Sequence, residues 1–247
     1  MNAKEFGEKN AETVILLHGG GLSWWNYREA AELLQRRYHV VLPILDGHAG
    51  SDRRFTSIED NAEEICASID AAFHGRVLAI GGLSLGAQVA LEMLSRRPDI
   101  CRFALIESAL ALPMPLTNRL TPWAIGMSYG LIRKRWFARL QFNALRMKGE
   151  LFEDYYRDSS GISKTDYIAF LQSNSSWEPK ETLSGTKAKV LITVGGKEQK
   201  NMLASADRLR RVIPNSEASV LPGYYHGDLS INHAEEYVQL LTELIST

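Results

Sequence analysis

The sequence predicts an α/β domain built on a mostly parallel, doubly wound sheet, and three observations carry that prediction. Short apolar runs alternate with longer segments of helical spacing, several of those runs are too uniformly apolar to have a wet face, and a single long stretch interrupts the alternation late in the chain. Strands of a parallel sheet are covered by helices on both sides. They therefore read as continuous apolar runs rather than as alternating ones.

Taken in order, the strands are Thr13 to Leu17, Val40 to Leu42, Val77 to Ile80, Phe103 to Ile106, Val190 to Val194 and Ala218 to Leu221, with room for one short strand before Thr13. Ile58, Ala62, Ile65, Ile69 and Phe73 recur at helical spacing, and Thr56 with Glu59 three positions on has the form of a capping box. A last helix begins near Asn232, where Tyr237, Leu240, Leu241, Leu244 and Ile245 make one apolar stripe that would dock on the sheet. From Leu112 to Lys187 no strand is evident, and the stretch is rich in aromatic residues, among them Trp123, Trp136, Phe142, Phe170 and Trp177. A structureless loop of that length does not belong in a compact domain. Residues 112–187 therefore read as an inserted helical cap, and 1–111 with 188–247 as the core domain. The cap aromatics fit a lid over a pocket or a small satellite core, and both can hold together.

Composition narrows the ligand. The chain has 247 residues, 45% hydrophobic and 23% charged, with a formal net charge of -1. With no run of lysines or arginines, neither nucleic acid nor an acidic membrane surface is favoured, and a small-molecule substrate is expected. The first ten residues are polar, and no apolar run approaches the roughly 18 residues of a membrane span. Export and membrane insertion are therefore not expected. Cys66 and Cys101 lack CxxC spacing and sit in apolar contexts, which reads as two reduced, buried thiols in a cytoplasmic protein.

Two glycine-rich stretches carry chemistry. After the strand ending at Ile80 comes Gly81-Gly82-Leu83-Ser84-Leu85-Gly86, and a helical pattern follows. Gly82-x-Ser84-x-Gly86 is a nucleophile-elbow pattern, in which a strained strand-to-helix turn exposes the serine hydroxyl and flanking glycines make room for neighbouring backbone. By composition alone the pattern arises in roughly one chain in twelve, so its place between strand and helix matters. The quartet His18-Gly19-Gly20-Gly21 directly after the first strong strand is far rarer, and it has neither the Lys-Ser/Thr of a P-loop nor the spacing of GxGxxG.

On these two stretches, in this order, the chain resembles the α/β-hydrolase superfamily from about Thr13 to the C-terminus, apart from the insertion. The resemblance implies an α/β-hydrolase fold with an inserted helical cap, no metal or organic cofactor, and a site of defined parts. Ser84 would be the nucleophile. An oxyanion hole would come from the N–H of Gly20, with Gly21 as the neighbouring option, and from that of Leu85 at a helix N-terminus. His226, in Pro222-Gly223-Tyr224-Tyr225-His226-Gly227, lies between the last strand and the last helix, where the family carries its base. His18 and His48 would shape the loops around the site, while His74 and His233 read as surface residues. The acid has two candidates. Glu198, in Gly195-Gly196-Lys197-Glu198 after a late strand, matches the family's Gly-x-x-Asp with one methylene more, and Glu107 ends the strand from Phe103, from which some members supply their acid. Glu107 alternatively caps the neighbouring amides of Ser108 and Ala109.

These parts imply a serine hydrolase acting through an acyl-enzyme on a small or medium ester, thioester or related carbonyl compound that carries an apolar group. The same triad also serves C–C bond hydrolases, lyases and acyltransferases. A small-molecule receptor of the same fold is the non-enzymatic alternative.

Overall fold

The computed structural model describes residues 2–247. Its strands are β1 (Ala3–Phe6), β2 (Thr13–Leu17), β3 (His39–Pro43), β4 (Val77–Leu83), β5 (Cys101–Glu107), β6 (Lys189–Gly195) and β7 (Ser216–Leu221). They form one sheet in the order β1-β3-β2-β4-β5-β6-β7. All neighbours are parallel except β1, which pairs antiparallel with β3 at the edge. Each strand read from the sequence is present, and the single short strand foreseen before Thr13 is β1.

The helices are α1 (Arg28–Leu34), α2 (Ile58–Ala72), α3 (Leu85–Arg96), α4 (Pro115–Ile132), α5 (Arg135–Ala144), α6 (Phe152–Gly161), α7 (Lys164–Ser176), α8 (Lys200–Val212), α9 (Asp228–Asn232) and α10 (Ala234–Ile245). Successive side chains of a strand point to opposite faces, so β2 divides its residues between two cores. Ile15 and Leu17 join α2, α3 and α8 on one side, whereas Val14 and Leu16 join α1 and α10 on the other. β2, β3 and β4 are buried from end to end, as their uniform apolarity requires. β7, at the outer edge, has no fully buried residue and mixes exposed with half-buried positions.

Two local readings change. The cap of α2 is Ser57, whose hydroxyl accepts from the Asp60 amide at 3.0 Å, while Thr56 Oγ1 donates to the Asp60 carboxylate. The hydroxyl-to-acid pattern is therefore offset by one residue from Thr56 and Glu59, because helical backbone begins at Ile58 and Ser57, directly before it, has the extended dihedrals of an N-cap. The C-terminal segment is also broken at His233, so α9 precedes α10.

Between β5 and β6 the chain is helical, with no strand among the described residues. Its aromatics divide between the two cores of the domain and the surface, rather than forming a separate satellite core. Phe142, Phe152 and Tyr155 extend the α1/α10 core and Phe170 and Trp177 extend the α2/α3 core, while Trp123 and Trp136 stand in solvent. No helix among the described residues is long and apolar enough to cross a membrane.

Candidate active site

Ser84 is the only residue between the end of β4 and the start of α3. Its φ of +52° lies in the left-handed region that side chains avoid, at a cost of order 1–3 kcal/mol held by the surrounding structure. The chain holds it there through two backbone bonds: Ser84 N donates to the Glu107 carbonyl at 2.9 Å, and Gln88 N donates to the Ser84 carbonyl at 3.0 Å. The flanking glycines are steric requirements. A Cβ on Gly86 would fall 2.1 Å from the Leu17 carbonyl oxygen, and one on Gly82 would fall 2.5 Å from that of Gly86. Ser84 is half-buried and lines a cavity of about 360 Å³. Its hydroxyl has no hydrogen-bond partner among the described residues.

His226 and Glu198 line the same cavity. His226 Nδ1 lies 2.7 Å from Glu198 Oε2, and Glu198 Oε1 accepts from Ser108 Oγ at 2.6 Å and from the Gly195 amide at 2.8 Å. Burial pushes the Glu198 carboxyl up, but hydrogen bonds from His226, Ser108 and Gly195 outweigh it and hold the group below its ordinary value. An ionised carboxylate only accepts, so Nδ1 carries the ring hydrogen and Nε2 keeps the lone pair. The extra methylene of glutamate is accommodated by the path of its loop. Lys197 N donates to the Tyr224 carbonyl at 2.9 Å and Gly196 N to that of Leu221 at 2.8 Å, which latches the Glu198 turn onto the segment that leads to His226.

Glu107 does not reach this pair as a ligand of the imidazole. Its carboxylate is buried and accepts from the Ser230 amide at 3.2 and 3.3 Å. The capping of Ser108 and Ala109 considered for it is not seen, since Ser108 N donates instead to the Thr193 carbonyl at 2.9 Å. Burial pushes Glu107 up to about 7, against the pull of the Ser230 hydrogen bonds. Asp228 is likewise occupied elsewhere, accepting from the Tyr225 amide at 3.2 Å and from Asn232 Nδ2 at 2.6 Å.

The first glycine-rich loop brings Gly20 beside Leu85 at the start of α3. A Cβ built on Gly20 would lie 3.6 Å from the Leu85 Cβ, and the N–H groups of Gly20 and Leu85 have no partner among the described residues. Gly21, the neighbouring option, is already committed: its N–H donates to His48 Nε2 at 3.0 Å. His48 Nδ1 in turn donates to the Asp46 carbonyl at 3.0 Å, and its ring packs on Phe170 with centroids 4.9 Å apart. His18 holds the loop from below, with Nδ1 against the Gly19 carbonyl at 2.9 Å and Nε2 accepting from Leu45 N at 3.1 Å. Burial pushes both imidazoles down, His18 to about 3 and His48 to about 4. Each is a neutral brace rather than a base.

Three contributors were not legible as site residues: Ser108, which takes φ +52° to aim its hydroxyl at Glu198; Ser230, which takes up Glu107; and Phe170, which closes on Gly20 from the insertion. Serine after a strand and phenylalanine in a helix are too common to signal this. No cluster of three or more His, Cys, Asp or Glu residues suited to a metal ion occurs among the described residues.

A strand-turn-helix serine and a carboxylate-bound histidine after the last strand thus line one cavity of an open, mostly parallel sheet. The sequence profile of the alpha/beta hydrolase family matches residues 14–240, and the chain belongs to that family. It is 31% identical over 138 residues to an AB hydrolase superfamily protein of Gibberella zeae, covering 53% of this chain and 46% of that one. It is also 28% identical over 122 residues to a pimeloyl-[acyl-carrier protein] methyl ester esterase of Aromatoleum aromaticum, covering 48% of this chain and 46% of that one. The match thus spans about half the length of these curated relatives. Among solved structures, a thermophilic esterase from Thermogutta terrifontis superposes with a TM-score of 0.81 at 18% identity, over 99% of this chain and 92% of that one. At that identity the likeness shows the fold.

Proposed function

We propose that the protein is a serine hydrolase that cleaves a small or medium ester or thioester through an acyl-enzyme. The 2.7 Å contact between His226 Nδ1 and Glu198 Oε2, in the wall of the cavity that Ser84 lines, carries this reading. Ser84 Oγ attacks the substrate carbonyl as His226 Nε2 takes its proton, and the Glu198 carboxylate stabilises the imidazolium that results. The carbonyl oxygen becomes an oxyanion held by the Gly20 and Leu85 amides. Collapse of this intermediate expels the alcohol or thiol, which receives the proton from His226. Water then attacks the acyl-enzyme by the same route in reverse, releasing the acid and restoring Ser84.

The insertion acts as a lid in this reading. Met114, Leu145 and Asn174 come from it to the cavity wall, where the apolar Met114 and Leu145, with Leu110 and Met202, favour an apolar acyl or alcohol group. The name of the Aromatoleum aromaticum relative, a methyl ester esterase, is in keeping with ester cleavage. Two free, buried cysteines fit a reducing, cytoplasmic setting.

The test is turnover of p-nitrophenyl esters, acyl thioesters and a C–C substrate panel by wild type beside Ser84→Ala, together with labelling by a fluorophosphonate. Ester or thioester turnover should fall on the order of 10⁶-fold in the variant, and labelling should vanish. Turnover confined to the C–C panel would move the assignment to that chemistry. A folded wild type that neither turns over nor labels would leave a binding protein.

A further inference from the structure

Among the described residues, eight of the ten large apolar side chains that stand exposed lie between Leu116 and Leu145. On α4, Leu116, Leu120, Trp123, Met127 and Leu131 recur every three or four residues, which places them on one helical face. Leu116 and Met127 are each 70% exposed and Trp123 67%. The opposite face of α4 is the one that packs. Asn118 Nδ2 donates to the Gln172 carbonyl at 2.7 Å and Tyr129 Oη to that of Ile162 at 2.9 Å, while Thr121 and Ile132 are buried. α5 continues the exposed surface with Trp136 and Leu140, one turn apart and each at least 60% exposed.

The charge of this region is as one-sided as its apolar face. Residues 108–149 contain seven lysines and arginines and no aspartate or glutamate, in a chain whose net charge is -1. Arg135 pairs with Glu153 and Lys148 with Glu29. Arg119, Arg133, Lys134 and Arg146 form no ion pair among the described residues, while Arg139 lies over the Phe152 ring within the electrostatic reach of Glu153. The overall balance that disfavours an acidic membrane surface conceals this segregation.

We propose that the α4–α5 pair is a docking surface for a lipid bilayer carrying anionic headgroups, with the apolar ridge entering the interface and the flanking cations meeting the phosphates. An exposed ridge of Leu, Met and Trp flanked by Lys and Arg is the chemistry that such an interface accepts, tryptophan above all at headgroup depth. A second copy of the chain is a poor occupant, because packing this face on itself sets the unpaired Arg119, Arg133, Lys134 and Arg146 against their own copies. Met114, Leu145 and Arg146, at the ends of the pair, line the cavity that holds Ser84, so docking brings that cavity to the membrane. The surface goes beyond the hydrolase reading and does not depend on it, since binding is read without turnover.

The test is cosedimentation of the full chain with vesicles of phosphatidylcholine alone and of phosphatidylcholine with an equal part of phosphatidylglycerol. Wild type should sediment with the anionic vesicles, stay in solution with the neutral ones, and be released by high salt. Arg133→Gln with Lys134→Gln should weaken binding about twenty-five-fold, from about fivefold per cation. Trp123→Ser with Met127→Ser should abolish it. None of these four side chains lines the cavity, so turnover of a soluble ester reports that each variant is folded. The proposal is overturned if wild type ignores anionic vesicles at low salt, binds neutral ones equally well, or binds undiminished in both variants. It is equally overturned if light scattering shows a dimer that Trp123→Ser with Met127→Ser converts to monomer, which assigns the face to a second copy.

Discussion

Replacing Glu198 by glutamine tests the centre of the site with little change of shape. The native carboxylate accepts three hydrogen bonds, from His226 Nδ1 at 2.7 Å, Ser108 Oγ at 2.6 Å and Gly195 N at 2.8 Å. Glutamine keeps an oxygen for Ser108 and Gly195, so the loop should stay folded, but it turns an NH₂ group towards Nδ1. The imidazole must then accept at Nδ1 and carry its hydrogen on Nε2, where Ser84 needs a lone pair. The same exchange in a serine protease triad costs about 10⁴ in kcat, about 5 kcal/mol of barrier. Glu107→Gln should behave differently, because its amide oxygen still accepts from Ser230 N and no tautomer depends on it. Initial rates on a short-chain p-nitrophenyl ester at about pH 8, where ordinary carboxylates are ionised, should show the first variant nearly inactive and the second within a few-fold of wild type. If Glu198→Gln turns over near the wild-type rate while Glu107→Gln does not, the acid is on β5 and the proposed triad is wrong.

Two further outcomes concern stability. Gly86→Ala should cost at least about 3 kcal/mol, read as a lower urea midpoint, because its Cβ would meet the Leu17 carbonyl oxygen at 2.1 Å and neither backbone can yield cheaply; an unchanged midpoint would mean that α3 can move off β2. Glu107 gives a pH dependence of definite sign: burial raises its folded pKa to about 7, above the ordinary 4.5 of a glutamate, so the buried group favours folding when protonated. Its contribution falls as pH rises from the lower value through the higher, by about 2 to 3 kcal/mol between about pH 5 and 8. Melting curves at the two pH values should therefore slope less in Glu107→Gln than in wild type, and equal slopes would show that Glu107 ionises as freely folded as unfolded.

The strands were legible because full burial leaves a local mark, a continuous apolar run, and the serine elbow because its sterics demand glycine at fixed offsets. The acid was narrowed to two residues and no further. Glu107 and Glu198 each follow a strand, and which one meets His226 depends on where the loop after β6 lies against the segment after β7, set by backbone bonds from Gly196 and Lys197. The choice between Gly20 and Gly21 was open for the same reason. It turns on His48, which lies 27 positions from Gly21 in sequence and accepts its N–H.

Sequence by itself determined the parallel sheet, the helical nature of residues 112–187, and the residue types and order of the candidate site, since periodicity, turn sterics and chain order are local or nearly local properties. Tertiary structure decided which carboxylate binds the imidazole, which amides stay unpaired, and which cap aromatics are buried. It also separated the charge: a chain near neutrality overall carries its unpaired cations beside an exposed apolar ridge. Composition sums over the whole chain, whereas electrostatic attraction and burial act over a few ångströms, so only the folded arrangement shows a surface of that kind.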